Sequence, residues 1–127
     1  MNKVIIGVGS NINPNENIQL ALEMIRRQMP ILAESRFVVT KPIGDPKQPD
    51  FLNGAIMIET DLSPDELKKA LQQIEKDLGK MNDEKAWGPR SIDMDIVVWN
   101  GAIVHPDVYE REFLQHAIHE ISPDIKI

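Results

Sequence analysis

Two hydrophobic periods alternate along the chain, and this alternation limits the possible folds more than any other feature of the sequence. Segments rich in β-branched residues or with a period of two predict strands, and apolar residues three or four positions apart predict helices. The predicted strands are 4–8, 35–40, 51–60 and 92–98, and the predicted helices carry Ile18, Leu22, Ile25 and Met29, then Leu67, Leu71, Ile74 and Leu78, then Phe113, Leu114, Ala117, Ile118 and Ile121. The order of elements is therefore β-α-β-β-α-β-α.

Short signals indicate where the helices begin and end. Asn13 is placed to cap the first helix, with Pro14 at its first position and Glu16 where a capping-box acid reaches back. Residues 63–66, Ser-Pro-Asp-Glu, repeat this pattern before the second helix. Gly79 fits the C-terminus of the second helix.

The order of elements predicts an α+β fold of the ferredoxin-like type. In this fold a four-stranded antiparallel sheet carries its helices on one face. Ile92, Met94, Ile96 and Val98 alternate, so we expect the last strand to bury one face. With 127 residues, the chain is expected to form a single domain, since domains usually contain roughly 100–200 residues.

Charge and composition exclude several classes of function. The chain has 14 basic and 20 acidic residues, a net charge of −6, which argues against nucleic acid or an anionic membrane surface as partner. It has no cysteine, which excludes disulfides, thiolate metal sites and cysteine nucleophiles. Its longest apolar runs are far too short to span a bilayer, and its first residues indicate a strand, not a secretory signal. We expect a cytoplasmic protein.

The strongest signal for chemistry is Asp93 and Asp95 within the predicted fourth strand. Side chains alternate across a strand, so the two carboxylates should share a face and could hold Mg²⁺. A bare Asp-x-Asp pair is more often part of a solvent-exposed strand face without a functional role. Here Trp87-Gly88-Pro89-Arg90 directly precedes the pair, and Arg90 could bind phosphate. Metal ions plus arginine, without an obvious nucleophile, suit phosphoryl transfer.

Other candidate positions are weaker when they are judged by spacing alone. Phe51 could stack on a heterocycle and Asn53 could bind its edge, although a core Phe51 and a turn-ending Asn53 are the simpler interpretation. Arg111 and Phe113, two positions apart, cannot share a helix face, which favours a surface arginine and a core phenylalanine. The polar segments 41–50 and 80–90 read as long loops, and loops of that length are usually functional.

Taken together, the motifs resemble the 6-hydroxymethyl-7,8-dihydropterin pyrophosphokinases of folate biosynthesis. The resemblance extends over residues 4–123, and the string W-G-P-R-x-x-D-x-D at 87–95 is highly specific. The other matching blocks are Gly9-Ser10-Asn11, Pro42-Ile43-Gly44, residues 48–53, Gln72 with Glu75, and His105-Pro106 with Arg111 and Phe113.

The resemblance implies transfer of diphosphate from ATP to the pterin hydroxymethyl group, with release of AMP. It implies that Asp93 and Asp95 hold two Mg²⁺ ions, with Asp95 a candidate acceptor for the substrate proton. The implied pterin-binding residues are Thr40, Ile43, Phe51, Asn53 and Phe113. The implied ATP-binding residues are Gln72, Glu75, Trp87, Arg90, His105 and Arg111, and the implied catalytic residues are Lys80, Arg90, Asp93 and Asp95.

Lys80 and Asn82 stand where the family typically carries arginines. Lys80 keeps a point charge, whereas Asn82 does not, although its loop should be able to reach the phosphates. One alternative is therefore a pterin- or nucleotide-binding relative with weakened or lost transfer. A ferredoxin-like RNA-binding module ranks last, because such a module needs a basic sheet face with stacking aromatic residues. We expect a monomer that acts on small molecules.

Overall fold

The computed structural model describes residues 1–86 and 88–127, and Trp87 lies outside the described residues. Within those two ranges the chain forms six strands and four helices, which confirms the predicted α+β class. The elements are β1 (Asn2–Ser10), α1 (Pro14–Arg26), β2 (Ile31–Glu34), β3 (Val38–Thr40), β4 (Phe51–Thr60), α2 (Pro64–Met81), β5 (Asp93–Trp99), β6 (Ala102–Ile103), α3 (Asp107–Glu110) and α4 (Glu112–Ile121). None of the helices in the two ranges is both long and apolar enough to cross a membrane.

The strands form one sheet with β1 and β4 at its centre. β1 pairs with β4 along its whole length, from Asn2 opposite Thr60 to Ser10 opposite Leu52. On the far side of β4 lie β2 and β3, and on the far side of β1 lie β5 and then β6. Each of these pairings is antiparallel, as predicted.

Both faces of the sheet are buried, each against different helices. On one face, Val4 and Ile6 belong to a core cluster with the apolar stripes of α1 and α2. On the other face, Ile5 and Ala55 pack with Ile118 and its neighbours on α4. Burial of a large aliphatic side chain contributes roughly 1.5–3 kcal/mol, so both layers matter for stability. The prediction that the helices cover one face is therefore wrong.

The expected four strands become six for two local reasons. The Oγ atom of Ser35 accepts a hydrogen bond from the Ala55 N–H at 2.8 Å, so a side chain replaces a backbone partner in the ladder. The regular pairing stops at this point, so the predicted strand 35–40 is wrong in its first half. β2 ends at Glu34, before the predicted strand begins, and only β3 (Val38–Thr40) lies within it. Asn100 and Gly101 have φ values of 48° and 84°, and they form the tight turn that returns β6 onto β5.

An irregularity in β5 changes which face its later residues occupy. Ile6 pairs with Ile96 but Ile5 pairs with Val98, so Val97 is an extra residue, as in a β-bulge. Met94 packs against α1 and α2 as predicted, whereas Val98 packs on the face covered by α4. The predicted alternation through Val98 is therefore wrong beyond Ile96.

The two long helices differ in how they begin. At α2 the predicted capping box is confirmed, because Ser63 Oγ accepts from the Glu66 N–H at 3.2 Å and Glu66 Oε1 accepts from the Ser63 N–H at 2.9 Å. At α1, in contrast, the Asn13 side chain forms no capping hydrogen bond to the residues that are described. Gly79 does not end α2, which continues to Met81.

Candidate active site

Asp93 and Asp95 lie at the start of β5 on one face of the sheet, as predicted. In the pairing with β1, Asp93 stands opposite Gly9 and Asp95 opposite Gly7. Both aspartates line a cavity of about 240 Å³ above these glycines. A Cβ atom at Gly9 would collide with the Asn53 side chain, so glycine is needed here for the close approach of that amide.

The same cavity brings together all the residues that were expected to bind a pterin. They are Thr40, Ile43, Phe51, Asn53 and Phe113. Asn53 lies inside β4, and its Nδ2 atom donates a hydrogen bond of 2.6 Å to Thr40 Oγ1. The alternative, that Asn53 ends a turn, is therefore wrong.

Arg111 and Phe113 line this cavity together although they are two positions apart in the chain. Arg111 separates α3 from α4 and has an extended backbone, with φ −114° and ψ 104°. The argument that two such residues cannot share a helix face does not apply, because Arg111 is not helical. Spacing alone favoured a surface Arg111 and a core Phe113, whereas the resemblance implied that Arg111 binds ATP and Phe113 the pterin. The structure places both beside the two aspartates.

Arg90 connects the aspartates to the segment that follows α2. Its Nε atom lies 3.3 Å from Asp93 Oδ1, and one terminal nitrogen lies 3.1 Å from Glu84 Oε1. The side chain of Arg90 is 43% exposed, so it combines two anionic partners with access to solvent. Such an arginine is positioned to bind a further anion.

Asn11 fixes the approach to Arg90 and was not among the predicted site residues. Its side chain is almost fully buried and accepts a hydrogen bond of 2.6 Å from the Arg90 N–H. Its Nδ2 atom donates to Gln48 Oε1 and to the Pro49 carbonyl. Asn11 thus ties the end of β1 to both long loops. The sequence signal was the Gly-Ser-Asn turn, which gave no indication of these partners.

Carboxylates crowd the region around the start of β5. Burial raises the pKa of Asp93, the Arg90 guanidinium opposes that shift, and Asp95 and Glu84 add to it. Burial also raises the pKa of Glu75, although its Oε2 atom accepts a hydrogen bond of 2.9 Å from the Met94 N–H. Such a concentration of negative charge favours the binding of a cation.

His105 lies next to the aspartate pair. Its Nε2 atom is 3.9 Å from Asp95 Oδ1, and its Nδ1 atom accepts a hydrogen bond of 3.1 Å from the Asp107 N–H. Asp95, His105 and Asp107 each offer a ligand atom, and these atoms lie within 4.8 Å of one another. His116 and His119, in contrast, are exposed on α4.

Two further depressions adjoin Asp95 and Arg90 on the side of α2. A depression of about 270 Å³ is lined by Gln72, Glu75, Asp95 and His105 together with the apolar Leu71 and Ile96. An open groove of about 960 Å³ continues from it past Lys69, Lys76, Lys80, Lys85 and Arg90. Four residues expected to bind ATP, namely Gln72, Glu75, Arg90 and His105, therefore lie along one surface. Trp87, also expected there, is outside the described residues.

Lys80 and Asn82 have different environments. Lys80 is exposed in the last turn of α2 and lines the groove. Asn82 caps α2 through a hydrogen bond of 2.8 Å from its Nδ2 atom to the Leu78 carbonyl, and it also donates to Asn17 Oδ1 at 2.9 Å. Asn17 is buried, so the expectation that residue 82 lies in a loop free to reach phosphates is wrong.

Comparison with known proteins identifies one family. The model of the 7,8-dihydro-6-hydroxymethylpterin-pyrophosphokinase family (HPPK) matches residues 5–123. This range includes the aspartate pair, the cavity and the residues along α2. It also agrees closely with the range of the resemblance found in the sequence.

Curated relatives match almost the whole chain. A 2-amino-4-hydroxy-6-hydroxymethyldihydropteridine pyrophosphokinase of Pseudomonas aeruginosa is 32% identical over 136 residues, covering 98% of this chain and 83% of the relative. The enzyme of that name from Haemophilus influenzae is 35% identical, covering 94% and 81%. The one from Methylorubrum extorquens is 36% identical, covering 100% and 87%.

Proposed function

The chain belongs to the 7,8-dihydro-6-hydroxymethylpterin-pyrophosphokinase family, and we propose on this basis that it transfers diphosphate from ATP to the hydroxymethyl group of 6-hydroxymethyl-7,8-dihydropterin. The products are AMP and the pterin diphosphate, and the reaction is a step of folate biosynthesis. ATP is the co-substrate. The observation that carries the proposal is that Asp95 borders both the cavity above β1 and the depression beside α2. Two substrates bound there would meet at the aspartate pair.

We propose that the cavity above β1 binds the pterin. Phe51 and Phe113 would pack on the two faces of the ring, and the Asn53 amide would bind its edge together with backbone at Thr40 and Ile43. A mostly preformed cavity with two aromatic residues and a few polar groups is typical of sites for small heterocycles.

We propose that Asp93 and Asp95 hold two Mg²⁺ ions. The donor set fits this ion, because Mg²⁺ prefers carboxylate oxygens and is usually bound by one or two carboxylates together with substrate phosphates. The raised pKa of Asp93 supports the assignment, since it reflects a partly buried carboxylate with further carboxylates close by. When bound, the ions would neutralise charge on the ATP phosphates.

We propose that ATP lies along α2. Gln72, Glu75 and His105 would contact the nucleotide, and Trp87 is expected to contribute from outside the described residues. Lys80 and Arg90 would contact the phosphates. Arg111 borders the cavity near Asp107, so its place in the ATP set would be at the transferred diphosphate and not at the base.

The transfer is a substitution at the β-phosphorus of ATP. The hydroxymethyl oxygen forms a bond to that phosphorus, and the bond to the oxygen that bridges the α- and β-phosphates breaks, so AMP leaves. The hydroxyl proton goes to Asp95 or to solvent. Arg90 would supply N–H donors to charge that develops on the phosphate oxygens. The cavity walls and the charged groups of the groove would hold the two reactants in line.

The direct test measures AMP when ATP, Mg²⁺ and the reduced pterin are supplied together. We expect AMP formation that requires all three. A chain that binds both substrates in calorimetry but forms no AMP would instead be the binding relative, an alternative that the comparisons do not favour. We further propose that residues 1–127 act as one domain and as a monomer, with strands β2, β4, β1 and β5 as the core of a ferredoxin-like sheet.

A further inference from the structure

Glu84 makes three contacts that its position in a polar loop did not suggest. Its backbone N–H donates to the Gly79 carbonyl at 2.8 Å, at the end of α2. Its Oε2 atom accepts from the Ser91 N–H at 2.9 Å, just before β5. Its Oε1 atom lies 3.1 Å from the Arg90 guanidinium. Glu84 therefore joins the end of α2, the loop and the residues just before β5, all of which border the proposed phosphate site.

The burial of Glu84 sets it apart from the residues beside it. Its side chain is 12% exposed, whereas Asp83 and Lys85 are 93% and 76% exposed and pair with each other at the surface. A Cβ atom at Gly79 would lie 3.4 Å from Glu84 Oε2, so the glycine provides the room in which this carboxylate sits. A buried carboxylate is costly without hydrogen-bond partners. The Ser91 N–H and the Arg90 guanidinium therefore stabilise Glu84 in its buried position.

Arg90 is held from two directions by carboxylates with different roles. Asp93 binds its Nε atom at 3.3 Å, and Glu84 binds a terminal nitrogen at 3.1 Å. A guanidinium has five N–H donors in a rigid plane, so donors remain for a phosphate. Under the proposed function, Asp93 would also hold a metal ion, and its contact with Arg90 would then weaken. Glu84 would be the anionic partner that keeps its contact.

We propose that Glu84 is a positioning residue for diphosphate transfer, which holds the Arg90 guanidinium in the orientation that binds the transferring group. This inference rests on the proposed function. Because Glu84 acts through Arg90, its effect should appear in the chemical step more than in nucleotide binding. It should also disappear when Arg90 is removed.

The test is a double-mutant cycle with Glu84→Gln, Arg90→Ala and the pair combined. Glutamine can still accept from the Ser91 N–H, so Glu84→Gln should fold. We expect kcat to fall about tenfold while KM for ATP changes less than about threefold. Adding Glu84→Gln to Arg90→Ala should cause no further loss. The control is Glu34→Gln, which breaks the exposed Arg26–Glu34 pair of 2.8 Å elsewhere and should leave kcat unchanged.

A second measurement does not depend on activity. The ¹⁵N relaxation of the Arg90 Nε–H group should show a restrained side chain in the parent chain and a more mobile one in Glu84→Gln. Unchanged kcat and relaxation, or losses that multiply in the double variant, would overturn the role assigned to Glu84. A parent chain that forms no AMP would overturn the proposed function instead, and the relaxation data would still test the contact.

Discussion

The two sides of the candidate site, the cavity over the sheet and the groove along α2, are formed by different kinds of residues. The cavity of about 240 Å³ lies over the central strands β1 and β4, and its shape depends on glycines and on side chains fixed within strands. The groove of about 960 Å³ lies along α2 and the segment after it, and charged side chains dominate its walls. The first side is therefore a closely packed cavity, and the second is an open surface lined by charged side chains.

This difference suggests a different kind of sensitivity on each side. Strand-built walls tolerate little added volume, because neighbouring strands and packed side chains cannot move apart cheaply. A charged groove tolerates changes of shape but responds to each charge that is added or removed. Asp95 borders both the cavity and the depression that leads into the groove, so its loss should have the largest effect.

The largest expected effect is that of Asp95→Ala. Asp95 is 57% exposed, so the substitution should change the unfolding temperature little. Loss of a proposed metal ligand, in contrast, should lower kcat by at least about 10³-fold, as removal of a charge-stabilising group can do. AMP release measures the effect, and Asp61→Ala, at an exposed aspartate just after β4, is the matched control. Turnover at the parental rate would contradict the metal assignment.

The next effect separates the cavity from the groove. Gly9→Ala should push the Asn53 side chain away, because the added Cβ atom collides with it. We expect pterin affinity to fall about 10²-fold, comparable to the loss of two good polar contacts, with nucleotide binding unchanged. Gly7→Ala is the milder comparison, since its Cβ atom would meet a Leu114 methyl group at 3.4 Å. Calorimetry with each ligand alone measures both. Equal losses for the two ligands would show that the sides are not independent.

Several features of the fold and of the site could be predicted from the sequence, because local patterns determine them. The same-face placement of Asp93 and Asp95 follows from the period of a strand. The capping box at Ser63 follows from a four-residue motif. The hairpin at Asn100-Gly101 was equally local and was missed, although this dipeptide is a strong turn signal.

The parts that could not be predicted depend on contacts between distant segments. The partners of Asn11 and the buried position of Glu84 arise only when β1, the loops and β5 meet. The break between α3 and α4 at Arg111 contains no proline or glycine, so no sequence signal indicated that the helix is interrupted there. That break is why Arg111 was expected at the surface but borders the cavity.

Asn82→Arg should have a smaller effect, and the sequence and the structure lead to opposite expectations for it. From the sequence alone, an arginine at 82 should raise activity by reaching the phosphates. The structure instead predicts a loss of about 1–3 kcal/mol in unfolding free energy, because Oδ1 of the buried Asn17 loses the Asn82 donor and α2 loses its cap. Denaturant unfolding measures the loss, and Lys80→Arg is a control that keeps charge on the exposed end of α2. A gain in AMP formation without destabilisation would support the interpretation from the sequence.

The smallest expected effect concerns Glu75, which lies on the groove side but reaches β5. Burial raises its pKa above the ordinary value of 4.5, so the fold favours the protonated form. The ionised form therefore reduces stability at neutral pH, and this cost falls as the pH drops through the raised pKa. It is absent well below 4.5, where Glu75 is protonated in both the folded and unfolded states.

Glu75→Gln should consequently unfold at a higher temperature than the parent chain at pH 7, and the two should converge in acid. Glutamine can keep the hydrogen bond from the Met94 N–H, so the comparison isolates the charge. Thermal unfolding from pH 3 to pH 8 measures the difference, with Glu23→Gln on the exposed side of α1 as the control for carboxylate loss. A variant that is less stable than the parent at pH 7 would mean that the negative charge strengthens the hydrogen bond from the Met94 N–H by more than burial costs. The Glu75 carboxylate would then stabilise the packing of α2 against β5. The shape of the groove would in that case depend on packed contacts, as the shape of the cavity does.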